Sequence, residues 1–298
     1  MNFKGGVPDQ ADTNKILRFY RVPGSRFKSV EELFAHHGYQ IEGEKFAQGE
    51  YSQLFRARYT KTGILVACKQ IDLAKTRPVL TSREMSRCES TTALAYIKNE
   101  LHMLKILSEQ PSPPPYIIKL YNHFVVNQNN ASNTLYVFLK LAPEGSLAQY
   151  VHRCGPLTEP AAATIFSQLT VALEYLHLKG RIAHRDVKLE AVLLLSLPPK
   201  DDNPKLTGWS STLVMLTNFG ASRTVTTGAS LKTEQGQGQQ QGLCHTACAG
   251  AAGQYTPPEL LDEKVLATSG YNPFLVDVWM AGITLYGMVC YPAFPFPQ

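Results

Sequence analysis

The feature that most constrains this fold is a change of hydrophobic period along the chain. Strand-like runs dominate residues 39–73, where the apolar run 64–68 follows a Lys-Thr-Gly turn. Residues 93–107 switch to apolar side chains spaced by three and four, as on one face of a helix. The ranges 116–126 and 134–141 then return to a strand-like composition. We therefore predict an antiparallel sheet with one helix in the first half of the chain.

The second half of the chain is mainly helical in pattern. Thr158 is a candidate N-cap, and apolar residues keep helical spacing from there to His177. Residues 276–290 form another apolar segment of helical length. A strand-first portion followed by a helix-rich portion indicates an α+β fold with two lobes and a cleft between them. The polar stretches 198–212 and 234–242 are predicted to be loop insertions.

Composition limits the class of protein. The chain has 298 residues, of which 44% are hydrophobic and 18% charged, as is typical of one large globular domain. The net charge of +5 comes without a dense Lys/Arg run, so we expect an ordinary solvated surface and no nucleic acid. Residues 1–14 lack the apolar segment of a secretory signal, and the six cysteines are scattered, which favours a cytoplasmic or nuclear location. Cys244 and Cys248 have no second ligand pair at zinc-like spacing, so free thiols are favoured there.

One apolar stretch is long enough to span a membrane, because residues 278–296 carry no charge. Asp277 borders this stretch, however, and Pro292 and Pro295 interrupt its end. Uninterrupted helical spacing is therefore confined to about residues 276–290. A buried core helix is favoured, with a membrane span as the alternative.

The segment 184–191, which directly follows the predicted helix, carries the most specific motif. It reads His-Arg-Asp-Val-Lys-Leu-Glu-Ala and matches the H-R-D-x-K-x-x-N motif of eukaryotic Ser/Thr protein kinases in every position but the last. In this segment the chain resembles that family. The resemblance implies that Asp186 orients the substrate hydroxyl and accepts its proton. It also implies that Lys188 neutralises charge on the transferring phosphoryl group.

Upstream segments resemble the nucleotide-binding part of the same family. The loop at residues 46–54 corresponds to the Gly-rich loop over the ATP phosphates, but it keeps one of three glycines and, taken alone, favours an ordinary hairpin. Lys69 corresponds to the strand lysine that pairs with the phosphates, and Glu100 to its helix partner, with a solvated surface Glu as the alternative. Leu139 falls at the gatekeeper position and residues 140–142 at the hinge. The resemblance places around ATP the residues Ala47, Gly49, Ser52, Leu54, Ala67, Lys69, Leu139, Lys140, Ala142 and, at the floor of the adenine pocket, Leu193.

Downstream segments continue the resemblance in the same order. Residues 216–220 look like the D-F-G segment, 257–259 like A-P-E, and 277–282 like the D-x-W-x-x-G helix behind the active site. Together the motifs cover roughly residues 39–296. Details of four segments look most like the testis-specific serine kinases of the calmodulin-dependent group. These segments are Tyr39-Gln40, Gly49-Glu50-Tyr51-Ser52, Cys248 and Met288-Val289-Cys290.

Two departures from the family concern its metal ions. Kinases hold Mg²⁺ with the D-F-G Asp and the catalytic-loop Asn, but Asn218 and Ala191 occupy these positions here. A neutral amide oxygen is a poorer ligand for a hard dication than a carboxylate, and a methyl group is none. The resemblance thus implies ATP as a cofactor, whereas Mg²⁺ is doubtful and no residue is assigned as its ligand. Glu190, or Asp201 and Asp202 in the insertion, are the alternative carboxylates.

Two functional hypotheses follow from this resemblance. The first is a pseudokinase or very weak Ser/Thr kinase that binds ATP and acts as a scaffold or allosteric regulator. The alternative is an active ATP-dependent Ser/Thr kinase with unusual metal use. The resemblance also implies protein partners or protein substrates, and no membrane contact. We expect a leader at residues 1–38, a sheet-based lobe at 39–141 and a helical lobe at 142–298. The helical lobe is expected to be incomplete, because kinases normally continue through further helices.

Overall fold

A six-stranded sheet forms the first lobe. The computed structural model describes residues 18–24, 26–49, 51–76, 93–110, 113–128, 132–197, 209–225, 253–262 and 270–295. The strands of this lobe are β1 (Phe19–Val22), β2 (Tyr39–Gln48), β3 (Ser52–Tyr59), β4 (Leu65–Asp72), β5 (Leu120–Gln128) and β6 (Ser132–Lys140). Their order in the sheet is β1-β5-β6-β4-β3-β2. The strands β2 to β6 pair antiparallel, as predicted, whereas β1 runs parallel to β5.

The two faces of β4 have different roles. Side chains alternate between the faces of a strand, so Val66 and Cys68 point to one face and Ala67 and Lys69 to the other. Val66 and Cys68 are fully buried in an aromatic-rich cluster on the outer face of the sheet. The opposite face is directed towards the helix that carries Glu100. This alternation is what places Lys69 on the cleft side.

Residues 18–38 belong to the first lobe, which corrects the prediction of a leader at 1–38. The strand β1 extends the sheet at β5, and the helix α1 (Val30–His36) packs against its outer face. The helix α1 buries only Leu33 and Phe34, and two apolar residues give too weak a period to predict a helix from sequence. The rings that Phe34 contacts are those of Phe124, Tyr136 and Phe138. Residues 1–17 lie outside the described part of the chain.

The helix α2 (Ala93–Ser108) completes the first lobe and confirms the predicted helix at 93–107. Its predicted stripe, Ile97, Leu101 and Leu104, is buried in the core together with Ile71 of β4. This apolar stripe holds the helix against the cleft side of the sheet. The polar side chains on the adjoining face are thereby directed into the cleft.

The second lobe is mainly helical, as predicted. Its helices are α3 (Leu147–Cys154), α4 (Glu159–Glu174) and α5 (Pro273–Cys290), and its short strands are β7 (Ile182–Ala183), β8 (Val192–Ser196), β9 (Leu213–Leu216) and β10 (Arg223–Thr224). The strands form two antiparallel pairs, β7 with β10 and β8 with β9. Thr158 stands at the N-cap of α4, and the helix continues as a π-helical turn at Tyr175–Gly180. The segment that follows this turn carries the His-Arg-Asp motif.

The helix α5 is the predicted core helix. Among the described residues it is the one helix long and apolar enough to cross a membrane by length and composition, and half of it is buried. Val276, Asp277 and Met280 are fully buried, whereas Leu275 and Val278 are exposed. A fully buried aspartate in the first turns of this helix needs partners, and these lie in the His-Arg-Asp segment.

The two predicted insertions lie mostly outside the described residues. Residues 198–208 of the first insertion and all of 234–242 are outside the described part of the chain. The end of the first insertion is ordered, because residues 209–211 form a short 3₁₀ helix in which Trp209 packs edge-on against Tyr150. Cys244 and Cys248 also fall outside the described part.

Candidate functional site

Lys69 and Glu100 meet on the cleft side of the first lobe. The Lys69 Nζ lies 2.8 Å from the Glu100 Oε2, and the two side chains are 23% and 10% exposed. The pair joins the sheet to α2, because β4 carries the lysine and the helix carries the glutamate. An ion pair this far from solvent is screened less by salt than a surface pair. The structure therefore forms the contact that the family resemblance implied.

The hairpin between β2 and β3 brings the loop residues next to β4. Ala47 lies opposite Leu54, and Leu54 lies opposite Lys69 in the strand register. The Gly49 N–H donates to the Ser52 carbonyl over 2.8 Å, which closes the turn. Leu54 is thus adjacent to Lys69, whereas Ser52 lies opposite Ile71 at the turn end of the hairpin.

The residues predicted to surround adenine come from both lobes and the hinge. Ala67 and Leu139 are opposite each other on neighbouring strands, and each is 6% exposed. Leu193 and Ala142 pack against the same core cluster from the second lobe and the hinge. Lys140 ends β6, and its N–H donates to the Lys119 carbonyl over 2.9 Å. Ala67 therefore lies beside Leu139 on the sheet, and Leu139, Ala142 and Leu193 share one core cluster. That these residues surround adenine stays a prediction.

Asp186 is the buried carboxylate of the catalytic segment, with 1% of its surface exposed. Burial raises the pKa of Asp186, and the nearby Lys188 ammonium opposes this shift. The Lys188 Nζ lies 2.8 Å from the Asp186 Oδ1. A carboxylate with a raised pKa beside a lysine has the chemical properties of a general base next to a phosphoryl-binding cation.

The catalytic segment is anchored from below by α5. Asp277 accepts the backbone N–H of His184 over 2.7 Å and that of Arg185 over 2.5 Å. The His177 Nε2 lies 2.7 Å from the same carboxylate. Arg185 has a left-handed backbone with φ 61°, which these bonds stabilise. Its guanidinium donates to the Ala221 carbonyl, so the anchor also reaches the D-F-G-like segment.

The two altered metal-ligand positions offer one ligand atom between them. Ala191 is fully buried and carries a methyl group. The Asn218 Oδ1 accepts a hydrogen bond over 3.2 Å, and its Nδ2 donates to the Asp186 Oδ2. Glu190 is exposed, while Asp201 and Asp202 lie outside the described residues. The side chains at these two positions do not fit the Mg²⁺ of the family, because a hard dication takes several oxygen ligands.

Two further residues of α2 reach the site. The Tyr96 hydroxyl lies 3.3 Å from the Asp186 Oδ2 and donates to the Asn218 Oδ1. The Asn99 amide donates to the carbonyls of Gly220 and Ser222, each over 2.8 Å. Sequence reasoning missed both residues. They follow no motif, and their partners lie 90 or more residues away in the chain.

Comparison with known proteins agrees with this geometry. The human testis-specific serine/threonine-protein kinase 4 is 28% identical over 264 residues, which cover 88% of this chain and 67% of that protein. The CBL-interacting protein kinase 11 of rice is 28% identical over 83% of this chain and 38% of its own length. The 3-phosphoinositide-dependent protein kinase 1 of Arabidopsis thaliana is 31% identical over 94% of this chain and 47% of its own length.

The plant relatives are longer than the segment that this chain matches, since the matches span less than half of each. The human relative carries the name of the group that the sequence details resembled, so that prediction is confirmed at the level of similarity. Residues 41–298 match the family model described as the protein kinase domain. With the Lys69–Glu100 pair and the buried Asp186 in place, the chain belongs to the protein kinase family.

Proposed function

We propose that this protein is a pseudokinase that binds an adenine nucleotide and acts as a scaffold or allosteric regulator of protein partners. One observation carries the proposal: Ala191 and Asn218 stand where the family places its metal ligands, and the Asn218 amide is already hydrogen-bonded. Phosphoryl transfer relies on metal ions and positioned charge to stabilise its transition state. We expect the loss of both ligands to slow transfer by several orders of magnitude. We also propose a cytoplasmic or nuclear location.

The apolar and basic parts of the cleft support nucleotide binding. Ala67, Leu139 and Leu193 would contact the adenine ring, and the hinge backbone would pair with its edge. Lys69 would contact the phosphates, since Glu100 holds its ammonium on the cleft side. Each of these groups acts without a metal ion. Nucleotide affinity and catalytic competence are therefore separable in this chain.

A second candidate function is an active Ser/Thr kinase with unusual metal use. The observation that favours it is the intact machinery around the altered positions, namely the Lys69–Glu100 pair and the Asp186–Lys188 pair. Phosphoryl transfer to a peptide panel with Mg²⁺ or Mn²⁺ that disappears in Asp186→Ala protein would establish this function and overturn the pseudokinase proposal.

The first experiment is a thermal shift of the purified protein with ATP alone, with ATP and Mg²⁺, and with ATP and Mn²⁺. Ligand at a hundred times its dissociation constant stabilises the fold by about 2.7 kcal/mol, which raises the Tm by a few degrees. The proposal predicts the same shift with and without metal, and its loss in Lys69→Ala. A shift that requires metal would favour the active kinase. No shift in protein that melts cooperatively would exclude nucleotide binding and leave the scaffold role alone.

A further inference from the structure

Tyr96 lies inside the site, beside the altered position Asn218 and the catalytic carboxylate of Asp186. Its hydroxyl is 3.3 Å from the Asp186 Oδ2 and 3.2 Å from the Asn218 Oδ1. The Asn218 amide in turn donates to the Asp186 Oδ2. Each of the three side chains thus contacts the other two, and Tyr96 has one phenol proton to share between the Asp186 Oδ2 and the Asn218 Oδ1.

The ring of Tyr96 is seated against Gly220. A Cβ atom built on Gly220 would lie 1.8 Å from Cε1 of Tyr96, far inside van der Waals contact. The glycine of the D-F-G-like segment therefore provides the space that the Tyr96 ring occupies. Any side chain at Gly220 would displace the ring from the site.

The environment keeps the Tyr96 phenol neutral. Burial raises the pKa of Tyr96, and the charge of Asp186 raises it further. A neutral phenol that donates its proton to an acceptor is a poor ligand for a hard dication. Mg²⁺ requires oxygen ligands at about 2.0–2.1 Å in a near-octahedral arrangement, and the Tyr96 hydroxyl lies against Asn218, the side chain at one of the two family ligand positions.

The position of α2 couples Tyr96 to the nucleotide-binding lysine. Tyr96 precedes Glu100 by four residues, so both project from the same face of the helix. The helix position that forms the Lys69–Glu100 pair therefore also brings Tyr96 to Asp186. Asn99 fixes this position by donating to the carbonyls of Gly220 and Ser222. One placement of α2 completes the lysine site and fills the space beside the catalytic carboxylate.

We propose that Tyr96 is a specificity-determining residue that closes the phosphate end of the cleft, so that the cleft takes adenine nucleotides without a metal ion. The inference rests on the proposed function, because it assumes that the adenine part of the cleft is used. It adds that the loss of metal ligands is reinforced by the Tyr96 hydroxyl, which contacts Asn218 and the catalytic Asp186. Restoring the ligands by Ala191→Asn and Asn218→Asp is then insufficient while Tyr96 remains.

Calorimetric titration of ATP with and without Mg²⁺ tests this inference. Four proteins are compared: the wild type, Tyr96→Ala, the Ala191→Asn/Asn218→Asp pair, and the triple variant. We expect a ratio of Kd without Mg²⁺ to Kd with Mg²⁺ near one in the first three, and at least tenfold in the triple variant. An equal rise of this Kd ratio in the double and triple variants would overturn the role of Tyr96. A triple variant that folds and binds ATP with a ratio near one would overturn it as well. The matched control is Lys98→Ala on the same helix. It is combined with the Ala191→Asn/Asn218→Asp pair in place of Tyr96→Ala, and the Kd ratio is expected to stay near one.

A labelling experiment decides the same question without nucleotide. The thiol of Asn218→Cys protein is reacted with N-ethylmaleimide, and its rate is followed by peptide mass spectrometry against the exposed Cys154. We expect the rate to rise at least tenfold when Tyr96→Ala is added and to be unchanged with Lys98→Ala. Equal rates with and without Tyr96 would overturn the closure. If no protein binds ATP, the proposed function fails, and the labelling rate still decides whether Tyr96 covers the site.

Tyr96→Phe keeps the experiment decisive if the alanine variant does not fold. It retains the ring on Gly220 and removes only the hydroxyl that contacts Asp186 and Asn218. In the Ala191→Asn/Asn218→Asp background, we expect it to raise the Mg²⁺ dependence of ATP binding by several-fold. No change in that dependence, in folded protein that binds ATP, would contradict the inference.

Discussion

Hydrogen bonds at both ring nitrogens hold His184 in one protonation state. The Asp186 backbone N–H can only donate, so the His184 Nδ1 accepts it at 3.3 Å. The Nε2 then carries the proton that is donated to the Thr217 carbonyl at 2.9 Å. The ring is fully buried, and burial lowers the pKa of His184 from its ordinary value of 6.5. The neutral form is therefore the one that fits the fold.

This protonation state predicts a loss of stability in mild acid. Below pH 6.5 the unfolded chain binds a proton at this residue that the folded chain does not, so the free energy of unfolding falls as the pH falls towards the folded-state pKa. One such group contributes up to about 1.4 kcal/mol per pH unit. We expect urea unfolding between pH 7.5 and 5.5 to show this slope, and His184→Gln to make it shallower. His37 and His102 also have lowered pKa values and keep part of the slope in the variant. An unchanged slope would contradict the assignment.

Asn99 is predicted to stabilise the segment that follows Asn218. Its amide donates to the carbonyls of Gly220 and Ser222, and each such bond contributes about 0.5–1.5 kcal/mol. We expect Asn99→Ala to lower the free energy of unfolding by about 1–3 kcal/mol, measured by chemical denaturation. Lys98→Ala is the matched control, with a change within about 0.5 kcal/mol. Equal effects of the two substitutions would show that the amide contacts add nothing.

At the scale of elements, α5 holds the catalytic segment in place through one carboxylate. Asp277 is fully buried and accepts two successive backbone N–H groups, from His184 and Arg185. Its removal leaves these donors without an acceptor in the interior, which costs more than the bonds themselves contribute. The left-handed backbone of Arg185 would also lose the contacts that stabilise it.

We therefore expect Asp277→Ala to destabilise the protein by about 2–5 kcal/mol in urea denaturation. Val278 is the next residue on the same helix and is 60% exposed, so Val278→Ala should change stability by about 0.5 kcal/mol or less. A destabilisation by Asp277→Ala no larger than that of Val278→Ala would show that the helix and the catalytic segment are independent.

At the scale of the whole molecule, residues 18–38 close the outer face of the sheet. Leu33 is fully buried beneath α1, and Phe34 packs edge-on against the Phe138 ring at 5.7 Å between centroids. We expect Leu33→Ala to cost about 2–5 kcal/mol, because it leaves a cavity between α1 and the sheet. The measurement is thermal unfolding, and Glu31→Gln on the exposed side of the same helix is the control. A protein lacking residues 1–38 that melts at the wild-type temperature would contradict this role.

Local patterns predicted most of the fold and the residues that resemble kinase motifs. The apolar run 64–68 predicts a strand of the sheet, and the spacing in α2 predicts the stripe that docks Glu100 on it. Both patterns can be recognised from residues that are near one another in the chain. The helix α1 was not predicted, because its two buried residues acquire their partners from β5 and β6, about 90–100 residues later.

The sequence by itself determined the two-lobed fold, the catalytic segment and the replacement of both metal-ligand residues. Only the tertiary structure decided that Tyr96 lies beside Asn218 and the catalytic Asp186. Tyr96 has no motif, and its contacts with Asp186 and Asn218 span 90 and 122 residues. They exist because the apolar stripe of α2 docks the helix on the sheet and Gly220 leaves room for a ring. Contacts of this kind depend on the packing of whole elements, which no local period encodes.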